Sequence, residues 1–288
     1  MNTCRKVAFT ELAFCLLAAL APAAASGDPA RAVQSPARPE VHSHAFYILD
    51  ESDSSVLAAR YDDVPAPIAS ITKLMTALVV LEAGQPMDQV LTITAEDVRG
   101  TAGSGGSRLA PGTRLSRADM MHLALMSSDN RAAHVLGRSY PGGMSACVRA
   151  MNDKAAALGM TRASFVEPTG LSSGNVASPR DLAKLVLAAG NDPTIREYST
   201  DPGHIVYVNR RPLEFRNTNL LVANPAWQVN LQKTGYISKA GRCLVMQTVI
   251  DGRQVVIVLL NSWGKLTRIA DAKRIRTWIE AQRRVTAS

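Results

Sequence analysis

A serine and a lysine three positions apart stand where an extended segment turns into a helix. Ser70 and Lys73 follow Pro65 and Pro67, which stop the extended chain, and the pattern over 68–82 is helical. Residues i and i+3 share one helical face, so the lysine amine can reach the serine hydroxyl. A hydroxyl is a weak nucleophile until a base takes its proton, and a lysine is that base only when burial or a second cation lowers its pKa. Because this spacing also occurs by chance in many helices, the pair indicates nucleophilic catalysis only if other groups join it.

A second short motif lies between two predicted helices. There the Ser128 hydroxyl can relay a proton, and the amide of Asn130 can orient a substrate peptide. Ser, Asp and Asn also favour helix caps, so the segment with Asp129 at its centre can equally be a cap.

A third motif, Lys233-Thr234-Gly235, ends a predicted strand. Lys233 adds positive charge beside Lys73, and Gly235 lets a substrate backbone come close, although the tripeptide is also an ordinary strand end. The order of the motifs is more specific than any one of them. A helix-start S-x-x-K, an inter-helical S-D-N and a strand-borne K-T-G are the three-part signature of penicillin-binding proteins and serine β-lactamases.

The elements that must position these motifs form an α+β arrangement. Two short strands precede a mainly helical block, and three strands and a closing helix follow it. We therefore expect an antiparallel sheet flanked by helices, with a mainly helical subdomain and the motifs in the cleft between them. Tyr207 and Trp227 are predicted to be core residues. The charges from Arg268 to Arg284 are predicted to cover a solvated helix face.

The start of the chain has the features of an export signal. Arg5 and Lys6 precede an apolar run over 12–20, and Ala23 to Ala25 fits a signal-peptidase site. The run is well short of the roughly 20 apolar residues that span a bilayer, so no stable membrane anchor is expected. The predicted organisation is a signal peptide over 1–25, a flexible leader over 26–41 and a periplasmic catalytic domain over 42–288.

Composition excludes some classes of function. The formal net charge of +8 suits an anionic polymer such as the cell wall, and no nucleic-acid recognition motif accompanies it. The five histidines have no metal-ligand spacing, so neither a metal nor an organic cofactor is expected. For Cys147 and Cys243, a disulfide is possible, and two buried free thiols are at least as consistent with the spacing.

Longer blocks resemble the D-alanyl-D-alanine endopeptidase branch of the low-molecular-mass penicillin-binding proteins. The resemblance runs from about His44 to the C-terminus. It is carried by the segments 67–77, 123–133, 165–172, 215–219 and 231–235.

This resemblance implies a role for each motif residue. Ser70 is acylated by the penultimate D-Ala of a peptidoglycan stem peptide, and Lys73 accepts its proton. Ser128 passes a proton to the leaving amine, and Asn130 holds the substrate amide. β-Lactam antibiotics then act as covalent inhibitors.

The strand motif is implied to bind substrate through Lys233, Thr234, Gly235 and Tyr236. Lys233 supports the electrostatics and binds the substrate carboxylate, and the backbone N–H groups of Tyr236 and of the nucleophile form the oxyanion hole. Relatives often carry Thr or Ser where this chain has Ile237, which puts one carboxylate contact in doubt.

Three other functions remain open. A D-alanyl-D-alanine carboxypeptidase that removes terminal D-Ala uses the same catalytic groups. The endopeptidase blocks, and a chain end at Ser288 without the extra β-rich domain and anchor of the carboxypeptidases, favour the endopeptidase. A β-lactamase is less favoured because Glu167, in a Glu-Pro-Thr-Gly-Leu setting, is interpreted as structural. A catalytically silent wall-binding protein is less favoured because all the reactive side chains are present.

Overall fold

The computed structural model describes residues 38–102 and 106–286. The predicted signal peptide and all but the last four residues of the predicted leader lie outside these ranges.

The strands are β1 (Ala45–Asp50), β2 (Val56–Arg60), β3 (Ala66–Pro67), β4 (Val90–Thr92), β5 (Arg114–Ser116), β6 (Val176–Ala177), β7 (Gly203–Val208), β8 (Arg211–Arg216), β9 (Gln228–Ile237), β10 (Gly241–Ile250) and β11 (Arg253–Ser262). The α-helices are α1 (Thr72–Glu82), α2 (Ala95–Gly100), α3 (Arg117–Met126), α4 (Asn130–Arg138), α5 (Gly143–Ala157), α6 (Pro179–Gly190), α7 (Pro193–Thr200) and α8 (Thr267–Thr286).

A five-stranded antiparallel sheet has the strand order β2-β1-β11-β10-β9. β10 and β11 form a hairpin, and its turn residues Asp251 and Gly252 have φ values of +52° and +77°. Such positive values are what a two-residue Asp-Gly turn requires. Among the described strands, β9 pairs only with β10, so its other edge faces the helical part of the molecule.

Both faces of the sheet are buried. Along β11, Val256 and Val258 join a core cluster with α1, α3 and α6, whereas Val255 and Ile257 join a second cluster with α8. Alternate strand residues point to opposite faces, so a strand covered on both sides is apolar throughout its centre. The antiparallel sheet between α8 and a mainly helical block confirms the predicted α+β fold.

Helix caps explain where the main helices begin. Ser116 caps α3 by accepting a hydrogen bond from the Asp119 N–H at 3.0 Å, and Ser178 caps α6 with Pro179 in the first turn. Pattern reasoning missed α2, α7 and the β7–β8 hairpin. The core prediction is right for Trp227, which is buried, and wrong for Tyr207, which is 66% exposed on that hairpin. Tyr207 remains exposed because β7 pairs only with β8 in a two-stranded sheet.

The described residues bear on two further predictions, one about the cysteines and one about a membrane anchor. Cys147 and Cys243 are both buried free thiols, and burial raises the pKa of Cys147 to about 12. Within the ranges described, none of the helices combines the length and apolarity needed to cross a membrane.

Candidate active site

Ser70 and Lys73 meet at the start of α1. Ser70 lies in a 3₁₀ turn formed by Ala69–Ile71, so the α-helix begins at Thr72, slightly later than the pattern predicts. Both side chains are buried, and Lys73 Nζ lies 2.8 Å from Ser70 Oγ. Ala69 has a φ of +49°, which is costly for a residue with a side chain and is typical of a backbone held in place by its surroundings.

Two further oxygen atoms surround the lysine amine. Lys73 Nζ donates to Asn130 Oδ1 at 2.7 Å and to the Thr169 carbonyl at 2.6 Å. A neutral amine has two protons and one lone pair. If both protons go to these oxygens, the lone pair is left for the hydroxyl of Ser70. The arrangement therefore suits a lysine that acts as a general base.

The electrostatics of the two buried lysines favour their neutral forms. Burial lowers the pKa of Lys73 to about 7, although the carboxylates of Glu167 and Asp129 oppose this shift. The pKa of Lys233 is also lowered, first by burial and then by the positive charges of Lys73 and Arg268. A lysine with a pKa near neutrality can take a proton at physiological pH.

The segment Ser128–Asn130 joins α3 to α4. Asp129 caps α4 by accepting a hydrogen bond from the Ala132 N–H at 3.0 Å, so the helix-cap interpretation is right for this residue. Ser128 has a φ of +61°, and Ser128 and Asn130 line a cavity of about 290 Å³ together with Arg108. The loop therefore presents a hydroxyl beside the amide that contacts Lys73.

Lys233 and Thr234 lie on the edge strand β9. The fully buried Lys233 donates from Nζ to the Thr234 carbonyl at 3.0 Å. The Thr234 hydroxyl lies 2.6 Å from the Thr218 hydroxyl, so the segment 215–219 meets the strand motif here. The contact with Thr218 fixes the end of β9 relative to this segment.

Gly235 brings the strand against the nucleophile. A Cβ atom at this position would lie 3.0 Å from the Ile68 carbonyl oxygen and 3.1 Å from the Ser70 nitrogen. A side chain would therefore force the two backbones apart. Tyr236 follows directly, with its side chain 57% exposed. The structure thus brings Ser70 and Gly235 together, although they are distant in sequence.

The loop around Gly170 supports the other side of the nucleophile. Gly170 has a φ of +84°, and a Cβ atom there would lie 2.0 Å from the Ala69 carbonyl oxygen. The carboxylate of Glu167 accepts hydrogen bonds from the N–H groups of Thr169 at 2.6 Å and Gly170 at 2.7 Å, and from Asn175 Nδ2 at 2.8 Å. These bonds are consistent with the structural interpretation of Glu167. Motif reasoning did not identify the Thr169 carbonyl as a partner of Lys73.

Arg268 in the first turn of α8 adds a third cation. The prediction that this residue belongs to a solvated face is wrong: it is only partly exposed, and its buried Nε has no hydrogen-bond partner among the residues described. Burial lowers its pKa, and the charge of Arg242 adds to this. The same prediction is wrong for Asp271, which is fully buried on α8, whereas Lys273 is exposed. Because all three charges continue one helical pattern, sequence periodicity could not distinguish the partly or fully buried ones from the exposed one.

Comparison with known proteins gives a consistent result. The peptidase S11 family, described as D-alanyl-D-alanine carboxypeptidase, matches residues 32–264. A D-alanyl-D-alanine endopeptidase of Pseudomonas aeruginosa is 46% identical over 89% of this chain and 83% of the relative. One from Escherichia coli is 44% identical over 96% of this chain and 88% of the relative. The Escherichia coli D-alanyl-D-alanine carboxypeptidase DacA is 27% identical over 84% of this chain and 62% of its own length.

Solved structures share the fold. The Streptomyces K15 DD-transpeptidase superposes with a TM-score of 0.79 at 24% identity, covering 85% of this chain and 99% of that one. The expected resemblance is thereby confirmed. Because the family match spans most of the chain and two curated relatives exceed 40% identity over nearly all of it, this chain belongs to the S11 family of D-alanyl-D-alanine carboxypeptidases and is a serine D,D-peptidase.

Proposed function

We propose that this peptidase is an endopeptidase that hydrolyses the D-alanyl–diaminopimelate cross-links of peptidoglycan through an acyl-enzyme on Ser70. The observation that carries the proposal is the buried Lys73 amine, which lies 2.8 Å from Ser70 Oγ. Its pKa of about 7 suits a general base. The choice of an endopeptidase rests on the relatives of that name at 44% and 46% identity.

In the acylation step, Lys73 takes the proton of the Ser70 hydroxyl as its oxygen attacks the D-Ala carbonyl carbon. A C–O bond forms, and the carbonyl oxygen becomes an oxyanion that accepts hydrogen bonds from the backbone N–H groups of Ser70 and Tyr236. The C–N bond then breaks. Ser128 passes the proton held by Lys73 on to the departing amine, which leaves as the free second stem peptide.

Substrate is held on both sides of the nucleophile. Asn130 orients the substrate amide, and Lys233, Thr234 and Arg268 bind the carboxylate of the leaving residue. The buried and unpartnered Nε of Arg268 supports this assignment, because a buried donor without an acceptor is costly unless a ligand supplies one. Gly235 lets β9 pack directly against the backbone of Ser70.

Water completes the reaction by hydrolysing the ester on Ser70, and a β-lactam leaves a long-lived adduct at the same oxygen. The Glu167 carboxylate accepts several backbone and side-chain hydrogen bonds. It is therefore poorly placed to act as the deacylating base that a β-lactamase needs, which supports a peptidase.

The test is a digest of purified cross-linked muropeptides with the mature protein beside Ser70→Ala. We expect the mature wild-type protein to release monomers and the Ser70→Ala variant to release none. A carboxypeptidase is the second candidate, because relatives of that name also match. Loss of D-Ala from pentapeptides with cross-links left intact would establish it and contradict the endopeptidase proposal.

Export is part of the same proposal. We expect cleavage after Ala25 and a periplasmic catalytic domain over 42–288, on the basis of the basic start, the apolar run and the A-x-A pattern. Intact mass of the protein from a periplasmic extract should correspond to a chain that begins at Ser26. A full-length mass would contradict it.

A further inference from the structure

An exposed aromatic and basic surface lies beside the end of β9. We call it the Trp263 surface, and it consists of Tyr236, Arg242, Trp263, Lys265 and Leu266. Trp263 is 84% exposed, whereas Trp227 and Trp278, the other tryptophans of the chain, are buried. A large apolar ring left in water beside a cleft is typical of a binding surface.

The surface forms a shallow cavity. Its volume is about 430 Å³, enough for one or two amino-acid residues of a ligand. The guanidinium of Arg242 lies over the Tyr236 ring at 4.5 Å, because the two residues are partners on adjacent strands. Arg242 is also the partner of Ser262, which directly precedes Trp263. The ends of β9, β10 and β11 thus bring the Trp263 ring close to the cations Arg242 and Lys265.

This cavity lies next to two residues of the candidate active site, Gly235 on β9 and Arg268, whose Nη1 donates to the Lys265 carbonyl at 3.4 Å. Tyr236 follows Gly235, which packs against the Ser70 backbone. On the other side, the Arg242 charge acts on Arg268, and the Arg268 charge acts on Lys233. A substrate that leaves its carboxylate at Arg268 has the Trp263 surface next to it.

The charge of the surface limits what it can bind. Arg242 and Lys265 are its ionisable side chains besides Tyr236, and none of the described residues that line the cavity is Asp or Glu. An anionic ligand with an aliphatic segment suits this combination. Its carboxylates can pair with the two cations while its methylene groups pack on the indole ring.

We propose that the Trp263 surface binds the second stem peptide of a cross-linked substrate, the anionic peptide that departs as the amine when Ser70 is acylated. This rests on the proposed function and extends it, since terminal D-Ala, the leaving group of a carboxypeptidase reaction, is too short to reach beyond Arg268. The diaminopimelate residue, whose own free carboxylate stays at Arg268, supplies the aliphatic segment, and the carboxylates of the rest of the second peptide supply the negative charge. The surface therefore selects for cross-linked over terminal substrates.

The experiment compares two rates in the same preparations. One is kcat/KM for a sugar-free, cross-linked tetrapeptide dimer, and the other is the rate of acylation by benzylpenicillin, which has no second peptide. The variants are Trp263→Ala, Trp263→Phe and Lys265→Gln. Tyr207→Ala is the matched control, since Tyr207 is an exposed aromatic residue on the β7–β8 hairpin.

We expect Trp263→Ala to lower the ratio of dimer cleavage to penicillin acylation roughly tenfold, as for the central aromatic residue of a binding surface. Lys265→Gln should lower it by about threefold, Trp263→Phe should restore most of it, and Tyr207→Ala should leave it unchanged. An unchanged ratio in Trp263→Ala, or an equal fall of both rates, would overturn the inference. A fall seen only when the dimer carries its sugars would also overturn it, because the occupant would then be the glycan.

A binding measurement separates this inference from the proposed function. If the wild-type protein acylates with penicillin but cuts no dimer, the endopeptidase proposal fails while the surface can still be tested. In the Ser70→Ala variant, the dimer should shift the tryptophan emission to the blue, and the uncross-linked tetrapeptide should not. The shift should disappear when Trp263→Phe is added. No shift with the dimer would show that the second peptide lies elsewhere.

Discussion

Lys73 and Asp97 are equally buried but have opposite electrostatic surroundings. Lys73 is 1% exposed, and its amine touches neutral oxygens. Asp97 is fully buried, and its carboxylate accepts hydrogen bonds from Arg138 Nε at 3.0 Å and His134 Nδ1 at 2.8 Å. A buried charge without a contacting counter-ion becomes a titratable and reactive group, whereas a paired one stays ionised and stabilises the fold.

The effect of pairing is visible in the direction of each pKa shift. Burial lowers the pKa of Lys73 to about 7 and so favours the neutral base. Burial alone would raise the pKa of Asp97, but the hydrogen bonds from His134 and Arg138 outweigh it and hold the pKa below its usual range. The same desolvation therefore favours a neutral amine in one region and leaves an ionised carboxylate that joins α2 to α4 in the other.

The strongest test replaces the unpaired amine. Lys73→Met keeps the volume but removes the base, so acylation by benzylpenicillin should fall by at least about a thousandfold. Because no contacting counter-ion loses its partner, the free energy of unfolding should fall by no more than about 1–2 kcal/mol, the cost of the hydrogen bonds that Asn130 and Thr169 lose. Intact-mass kinetics and denaturant unfolding measure the two effects. Retained acylation, or a large loss of stability, would remove the contrast with Asp97.

Two glycines, compared with each other, test whether the backbone packing around Ser70 and Lys73 is needed for acylation. Gly170 and Gly112 have nearly the same φ, +84° and +85°, but a Cβ atom meets Ala69 only at Gly170. Gly112→Ala should cost about 1 kcal/mol of unfolding free energy from the left-handed backbone alone. Gly170→Ala should cost about 2–4 kcal/mol and slow acylation roughly a hundredfold, because the Ser70 backbone must move. Equal effects of the two changes would mean that the contact with Ala69 is unimportant.

Replacing the paired charge of Asp97 should have the opposite effect from replacing Lys73: stability should fall, and acylation should change little. Asp97→Asn leaves Arg138 and His134 without their partner, so the free energy of unfolding should fall by about 2–4 kcal/mol. Acylation by the protein that remains folded should fall less than about threefold, since Asp97 lies outside the cleft. Asp63→Asn is the control: its pair with Arg162 is exposed on both sides and should be worth less than about 1 kcal/mol.

The last test separates the two regions by pH. Lys73 must be neutral to act, so acylation should fall about tenfold per pH unit below its pKa of about 7 and level off above it. The folded-state pKa of Asp97 is lowered, so its stability contribution is present above the unfolded value of about 3.9 and is lost only as the pH falls below it. Between pH 5 and pH 8, acylation should therefore change while the Asp97-linked stability does not. An acylation profile that is flat across this window would contradict the assignment of Lys73 as the base.

Much of the site follows from sequence, because it depends on side-chain type and short spacing. The S-x-x-K and S-D-N motifs named Ser70 and Asn130, which contact Lys73, and the K-T-G motif named Gly235, which packs against the Ser70 backbone. The contributions of Thr169, Gly170 and Arg268 were missed. Thr169 acts through its carbonyl group and Gly170 through the absence of a side chain. Neither effect leaves a periodic pattern in the sequence.

The sequence by itself determined the local geometry: a turn before α1, and a serine and a lysine three positions apart that must meet on one side of it. It also determined that alternate residues of β11 would be apolar on both faces. Only the tertiary structure decided that the amine is buried among neutral oxygens, which lowers its pKa to about 7. Its other two partners come from 57 and 96 positions away, and these distant segments exclude the water that would keep it charged. Desolvation depends on what packs around a group, and no short stretch of chain can bury its own lysine.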